Sequence, residues 1–137
     1  MNFTFETVPE ILFETGAAAR LGEIVKPRMQ RPCVVTDKGV IGAGLIDGAL
    51  KSLNSAGLDV HLFDAVEADP PAKIVKHAVE AARTHNADGV IGFGGGSSMD
   101  TAKVIAVLLK SGACQIFCVS SLTGIGFRSG WAFGLRT

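Results

Sequence analysis

The chain has no aspartate or glutamate beyond Asp100, although it carries 13 acidic residues against 13 lysines and arginines. Formal net charge is therefore zero, and neither nucleic acid nor an anionic membrane surface has an electrostatic reason to bind. No apolar run approaches the roughly 18 residues of a membrane-spanning helix. The opening MNFTFETVPE lacks a basic n-region and an apolar h-region. A secretory leader is thus not expected, and the expected location is the cytoplasm. Cysteines are few and odd in number: Cys33, Cys114 and Cys118. That suits free thiols, not a disulfide framework, and the Cys114/Cys118 spacing lacks the second ligand pair of a zinc site. Histidines are equally sparse. His61, His77 and His85 form no H-x₃-H or H-E-x-x-H pattern, and no Ser-His-Asp or Cys-His arrangement is readable. No metal ligand and no catalytic residue is expected from this chain.

What the chain does have is concentrated in DGVIGFGGGSSMDTAKVIAVLLK, residues 88–110. An apolar run, Gly89 to Phe93, meets Gly94-Gly95-Gly96-Ser97, and Met99, Ala102, Ile105, Ala106 and Leu109 follow at steps of three and four. The pattern predicts strand, glycine turn and helix. Glycines without Cβ let a ligand approach the backbone, and the unpaired N–H groups and dipole at a helix start favour an anion such as a phosphate. Ser97 followed by Asp100 also fits a plain capping box. The G-x-G-x-x-S form departs from the usual dinucleotide fingerprint, and it comes late in the chain with no acidic residue beyond Asp100 to serve a ribose about 20 residues on.

The remaining pattern alternates. Short strands are predicted at Phe3–Phe5, Ile11–Phe13, Cys33–Thr36 and Val60–Phe63, with helices at Ala17–Val25, around Leu45–Leu53 and over Ile74–Ala82. At 137 residues and 47% hydrophobic, the chain is long enough for a real core. Strands alternating with helices imply an α/β domain with a mostly parallel sheet. Ligands then gather at the carboxyl ends of the strands, where Thr36-Asp37 and Gly94-Gly95-Gly96 both fall.

GGGSSMDTAK resembles the G-G-G-S-x-x-D-x-A/C-K segment of the iron-type alcohol dehydrogenases, the group with glycerol dehydrogenase and maleylacetate reductase. Three further stretches are similar to that family in order and spacing: Pro9–Phe13 with Gly16-Ala17, Val34–Val40, and Phe63–Pro70. Together they cover residues 3 to 110. The resemblance implies a Rossmann-like fold of the dehydroquinate synthase type, with NAD as cofactor and NADP less favoured. It implies that Gly94, Gly95, Gly96, Ser97 and Ser98 receive the pyrophosphate, that Asp37 accepts from the adenosine ribose and repels a 2′-phosphate, and that Asp69 and Asp100 stand near the cofactor. Without the resemblance, Asp37 reads as a turn residue before Gly39, and Asp100 as an intrahelical partner of Lys103.

The family's activity is hydride transfer between an alcohol and NAD, with iron or zinc held by Asp and His on a helical second domain. No such domain is readable here. Residues 1–110 read as the dinucleotide-binding domain. Residues 111–137 read as an atypical tail, of the kind a frameshift or truncation leaves, since the family's P-T-T-x-G-T-G-S-E segment is missing. The expected function is the NAD-binding portion of an iron-type alcohol dehydrogenase. The alternative is a non-catalytic truncated fragment or pseudogene product with weak or no nucleotide binding. Beyond the nucleotide, the partners left open are a separate helical domain and self-association. Substrate, metal and oligomeric state are not legible.

Overall fold

A computed structural model describes the backbone of residues 10–13, 16–109, 115–120 and 129–133, and the side chains of 16–109 and 116–119. The strand expected at Phe3–Phe5 lies outside the described residues.

Among the described residues six strands form one sheet: β1 (Glu10–Phe13), β2 (Pro32–Val35), β3 (His61–Phe63), β4 (Gly89–Gly94), β5 (Gln115–Ser120) and β6 (Ser129–Phe133), in the order β1-β6-β5-β4-β2-β3. The block β5-β4-β2-β3 is parallel, with Val35 opposite Phe63 on one side and Gly92 on the other. β6 pairs antiparallel with both β5 and β1. The chain is therefore α/β with a mostly parallel sheet, as its alternation predicts. β5 and β6 come from beyond residue 110 and complete one side of the sheet.

Alternation along the strands sends side chains to two separate cores. Val34, Ile91, Phe93, Phe117 and Val119 pack on one face with Leu21 and Val25 of α1 (Leu21–Val25) and Ala49 and Leu53 of α3 (Asp47–Ser55). Cys33, Val35, Val90, Ile116 and Cys118 pack on the other face against Ala78, Val79 and Ala82 of α4 (Ala72–Thr84) and Ala102 and Ile105 of α5 (Gly96–Leu108). Both faces are covered, so the central strands have no polar side, as parallel sheets require. Each fully buried Leu or Ile contributes about 1.5–3 kcal/mol relative to exposure.

Local chemistry ends the helices, at α3 through the glycine that the sequence offers as a stop and at α4 through a residue it does not single out. Gly57 follows α3 at φ 79° and directs its N–H back to the Asn54 carbonyl at 3.0 Å. Asn86 turns the chain in the same way after α4 at φ 54°, and the Ala87 N–H reaches the Ala82 carbonyl at 2.9 Å. The segment read as a single helix over Ala17–Val25 is a 3₁₀ turn, Ala17–Arg20, that continues into α1. One helix was not foreseen: α2 (Lys38–Gly42), a single turn directly after β2.

Topology fixes where a ligand can go. From β2 the chain crosses one face through α2 and α3 to β3 at the edge, then returns across the other face through α4 to β4 on the far side of β2. The strand order thus reverses between β2 and β4. Connections leave these neighbours on opposite faces, and a crevice opens at their carboxyl ends.

Candidate functional site

Asp37 follows β2 and Gly95 follows β4, so both stand at the mouth of that crevice. A cavity of about 500 Å³ lies there, lined by Asp37, Lys38 and Gly39 from the β2–α2 turn, by Asp64–Ala68 and Ile74 from the β3–α4 side, and by Gly95, Gly96, Ser97 and Ser98. The expected glycine turn and the expected aspartate therefore meet in one place.

The start of α5 is built for close approach. Gly95 is the N-cap residue in extended conformation, and no side chain caps the helix. The first-turn N–H groups of Gly96, Ser97 and Ser98 thus lack an i−4 partner within the helix. Nothing lies within 4 Å of where a Cβ would stand on Gly95 or Gly96. Both glycines border open cavity, so the space that a side chain would fill is available to a ligand. Gly92 serves packing instead. A Cβ there would stand 2.8 Å from Ala102 Cβ, so its absence lets α5 lie directly on β4. The Ser97–Asp100 capping box does not form, because the helix begins at Gly96 and Ser97 already lies inside it. The Ser97 carbonyl instead accepts from the Thr101 hydroxyl at 2.7 Å.

Asp37 is the N-cap of α2. Its Oδ1 accepts the Val40 N–H at 2.9 Å, and its Oδ2 accepts from the Ser98 hydroxyl at 3.4 Å. Gly94 ends β4 at φ 138°, and a Cβ there would crowd Val40, Asp37 and Ser98 at 3.2–3.3 Å. Behind Asp37, Thr36 is fully buried, and its hydroxyl has no hydrogen-bond partner among the described residues.

Three expected residues stand apart from the lining: Gly94, packed beneath Asp37, and Asp69 and Asp100. Asp100 is 75% exposed and pairs with Lys103 at 3.1 Å, one turn along the outside of α5. Asp69 is exposed at φ 52°, beyond the last lining residue of its loop. Asp64, Glu67 and Lys38 line the cavity without having been singled out. A signal for Asp64 was present: it directly follows β3, and the carboxyl ends of parallel strands share one edge. Among the described residues no three His, Cys, Asp or Glu side chains gather as a metal site. His61 and His85 stack at 5.4 Å, and His85 Nε2 lies 2.8 Å from the Asp59 carbonyl, a packing role. Burial raises the Cys118 thiol pKa from 9.0 to about 11, with Lys103 lowering it and Asp100 adding a smaller rise. A thiol so held is no nucleophile at neutral pH. No helix among the described residues is long and apolar enough to cross a membrane.

The sequence model of one family, described as iron-containing alcohol dehydrogenase, matches residues 9–130. The chain belongs to this family. It is similar to choline dehydrogenase of Bacillus subtilis, 41% identical over 105 residues, which are 76% of this chain and 26% of that protein. It is also similar to 4-hydroxybutyrate dehydrogenase of Cupriavidus necator, 38% identical over 99 residues, covering 72% and 25%. Among solved structures, a 1,3-propanediol oxidoreductase superposes with a TM-score of 0.67 at 29% identity, over 74% of this chain and 28% of that one. The NADH-dependent butanol dehydrogenase A of Thermotoga maritima superposes at 0.76 over 96% and 41%, with 22% identity, a likeness of fold alone. The chain spans about a quarter of the length of the curated relatives it matches.

Proposed function

We propose that this chain forms the NAD-binding portion of an alcohol dehydrogenase. In this reading the cofactor pyrophosphate rests on the first turn of α5, against the backbone of Gly95, Gly96 and Ser97. The adenosine ribose reaches across the crevice to Asp37. The observation that carries the reading is the open Cβ space at Gly95 and Gly96, at a helix start, within a switch-point crevice. Asp37 favours NAD over NADP, because a 2′-phosphate beside its carboxylate is a like-charge contact. Asp69 and Asp100 lie outside the cavity lining, and in this reading they stand near the cofactor at the edge of its site.

The division of labour follows from what the residues are. The backbone amides and glycines of this chain bind and orient the cofactor, and the bound nicotinamide supplies the hydride acceptor. The described residues do not fit a catalytic metal, so substrate activation falls to residues other than these. The family membership supports an alcohol as the hydride donor, and the names of the relatives, among them a 4-hydroxybutyrate dehydrogenase and a 1,3-propanediol oxidoreductase, favour a small one. The buried thiol of Cys118, outside any disulfide, suits a reducing compartment such as the cytoplasm.

Calorimetric titration with NAD tests the reading on wild type and Gly95→Val. The valine side chain enters the cavity and meets nothing of the protein, so it should abolish binding and leave the melting temperature nearly unchanged. Equal NAD affinity in both proteins would refute it.

A further inference from the structure

We infer that Ser98 is a positioning residue for cofactor selectivity, acting through Asp37 and not by contact with the cofactor phosphates. The inference rests on the NAD reading above and extends it to a residue at a variable place of the glycine motif. In the G-G-G-S-x-x-D pattern, Ser98 occupies the first x; the resemblance places it only with the pyrophosphate turn and says nothing of a link to Asp37.

The geometry supplies that link. Ser98 is only 1% exposed, and its hydroxyl points its donor at Asp37 Oδ2, 3.4 Å away. The other oxygen, Oδ1, is tied to the Val40 N–H at 2.9 Å. The carboxylate is thereby held at both oxygens, once by the first turn of α2 and once by the first turn of α5. A carboxylate offers about four acceptor sites, so both oxygens keep a lone pair for a ribose hydroxyl. Gly94 leaves the space in which this contact forms, since a Cβ there would stand 3.3 Å from both Asp37 Oδ2 and Ser98 Oγ. Three residues from two strand ends thus converge on one carboxylate. Ser98 links the pyrophosphate end of the crevice to its ribose end. Without its hydroxyl, the Asp37 carboxylate is anchored on one side only. It then turns away from a 2′-phosphate at less loss, and it accepts less well from a 2′-hydroxyl. Both changes lower the preference for NAD.

A double-mutant cycle on the full chain tests this, with NAD and NADP affinities measured by calorimetry for wild type, Ser98→Ala, Asp37→Ala and the double variant. In the Asp37 background, Ser98→Ala should lower the ratio of NAD to NADP affinity by about threefold to tenfold, the value of a hydrogen bond to a charged acceptor at the long end of its range. In the Asp37→Ala background the same substitution should leave the ratio unchanged. Equal effects in both backgrounds, or none in either, would overturn the role of Ser98. Ser98→Cys, similar in shape with a weaker donor, carries the same comparison if Ser98→Ala fails to fold. A folded wild-type chain that binds neither cofactor overturns the NAD reading itself, and this inference with it. Binding by wild type with a flat cycle overturns the inference alone.

Discussion

The carboxylate of Asp37 closes over Gly94 so tightly that a Cβ on the glycine would stand 3.3 Å from Oδ2. β2 and β4 are neighbours in the sheet, and these residues are where their ends meet. Gly94 and Gly95 are adjacent in sequence but serve opposite purposes, one inside the protein and one toward the cavity. Gly94→Ala should therefore destabilise the fold by about 1–3 kcal/mol, combining a φ of 138° with three close contacts. Gly95→Ala, in ordinary extended backbone with open space around it, should stay within about 0.5 kcal/mol of wild type. Urea denaturation of the two variants checks the contrast.

Asp37 carries two burdens, a helix cap and a place in the cavity lining. Asp37→Asn should keep most of the cap, whereas Asp37→Ala should lose about 1 kcal/mol of stability. Both should weaken the preference for NAD. Neither should make NADP the better ligand, because Asp64 and Glu67 line the same cavity and, among the described lining residues, Lys38 alone opposes them. Affinities of both cofactors for the two variants, beside their thermal melts, separate the cap from the charge.

Cys118 links stability to alkaline pH. The folded thiol is raised from 9.0 to about 11, chiefly by burial. A raised value means that the folded state holds the proton longer than the unfolded state. The resulting stability is complete below about pH 9 and is lost as pH rises through about 11, a loss of about 2–3 kcal/mol for the shift. The stability gap between wild type and Cys118→Ala should narrow over that window. A gap independent of pH would show that the thiol is not held neutral.

Alcohol oxidation should be absent from the chain alone. Hydride transfer needs the alcohol oxygen held and its proton made easy to lose, and among the described residues no cluster of metal-ligating side chains is present. Purified protein with NAD and a panel of alcohols and diols should produce no NADH, with iron, with zinc or with chelator. Metal-dependent absorbance at the NADH band would contradict this.

The fold was legible because its period was legible. Cys33–Val35 and Val90–Ile91 are buried on both faces, and buried strands write themselves as apolar runs. Ile116–Val119 is an apolar run of the same kind, yet the sequence reading assigns it no strand and takes residues 111–137 as an atypical tail. A central strand covered on both sides has no place for a carboxylate, which accounts in part for the acid-free composition after Asp100. α2 escaped because Lys38–Gly42 is a single turn with two glycines, too short for a helical period. The capping box misled for a related reason. Ser97 and Asp100 have the spacing, but the strand runs into Gly94 and the helix takes Gly95 as its cap, so the serine arrives two residues late. Of the cavity, Asp37 and the glycines could be placed from the strand ends. The Ser98–Asp37 contact could not, since it joins side chains 61 residues apart and depends on how α5 sits on β4.

The most direct measurement is an NMR titration of the folded chain with NAD, following backbone amides. The account predicts that the largest shifts fall on Gly95, Gly96, Ser97 and Ser98, with a second group at Asp37 and Lys38, and that α1 and α3 on the far side stay still. Saturation with the largest shifts elsewhere, or no shift at millimolar NAD in a chain that is demonstrably folded, would contradict it.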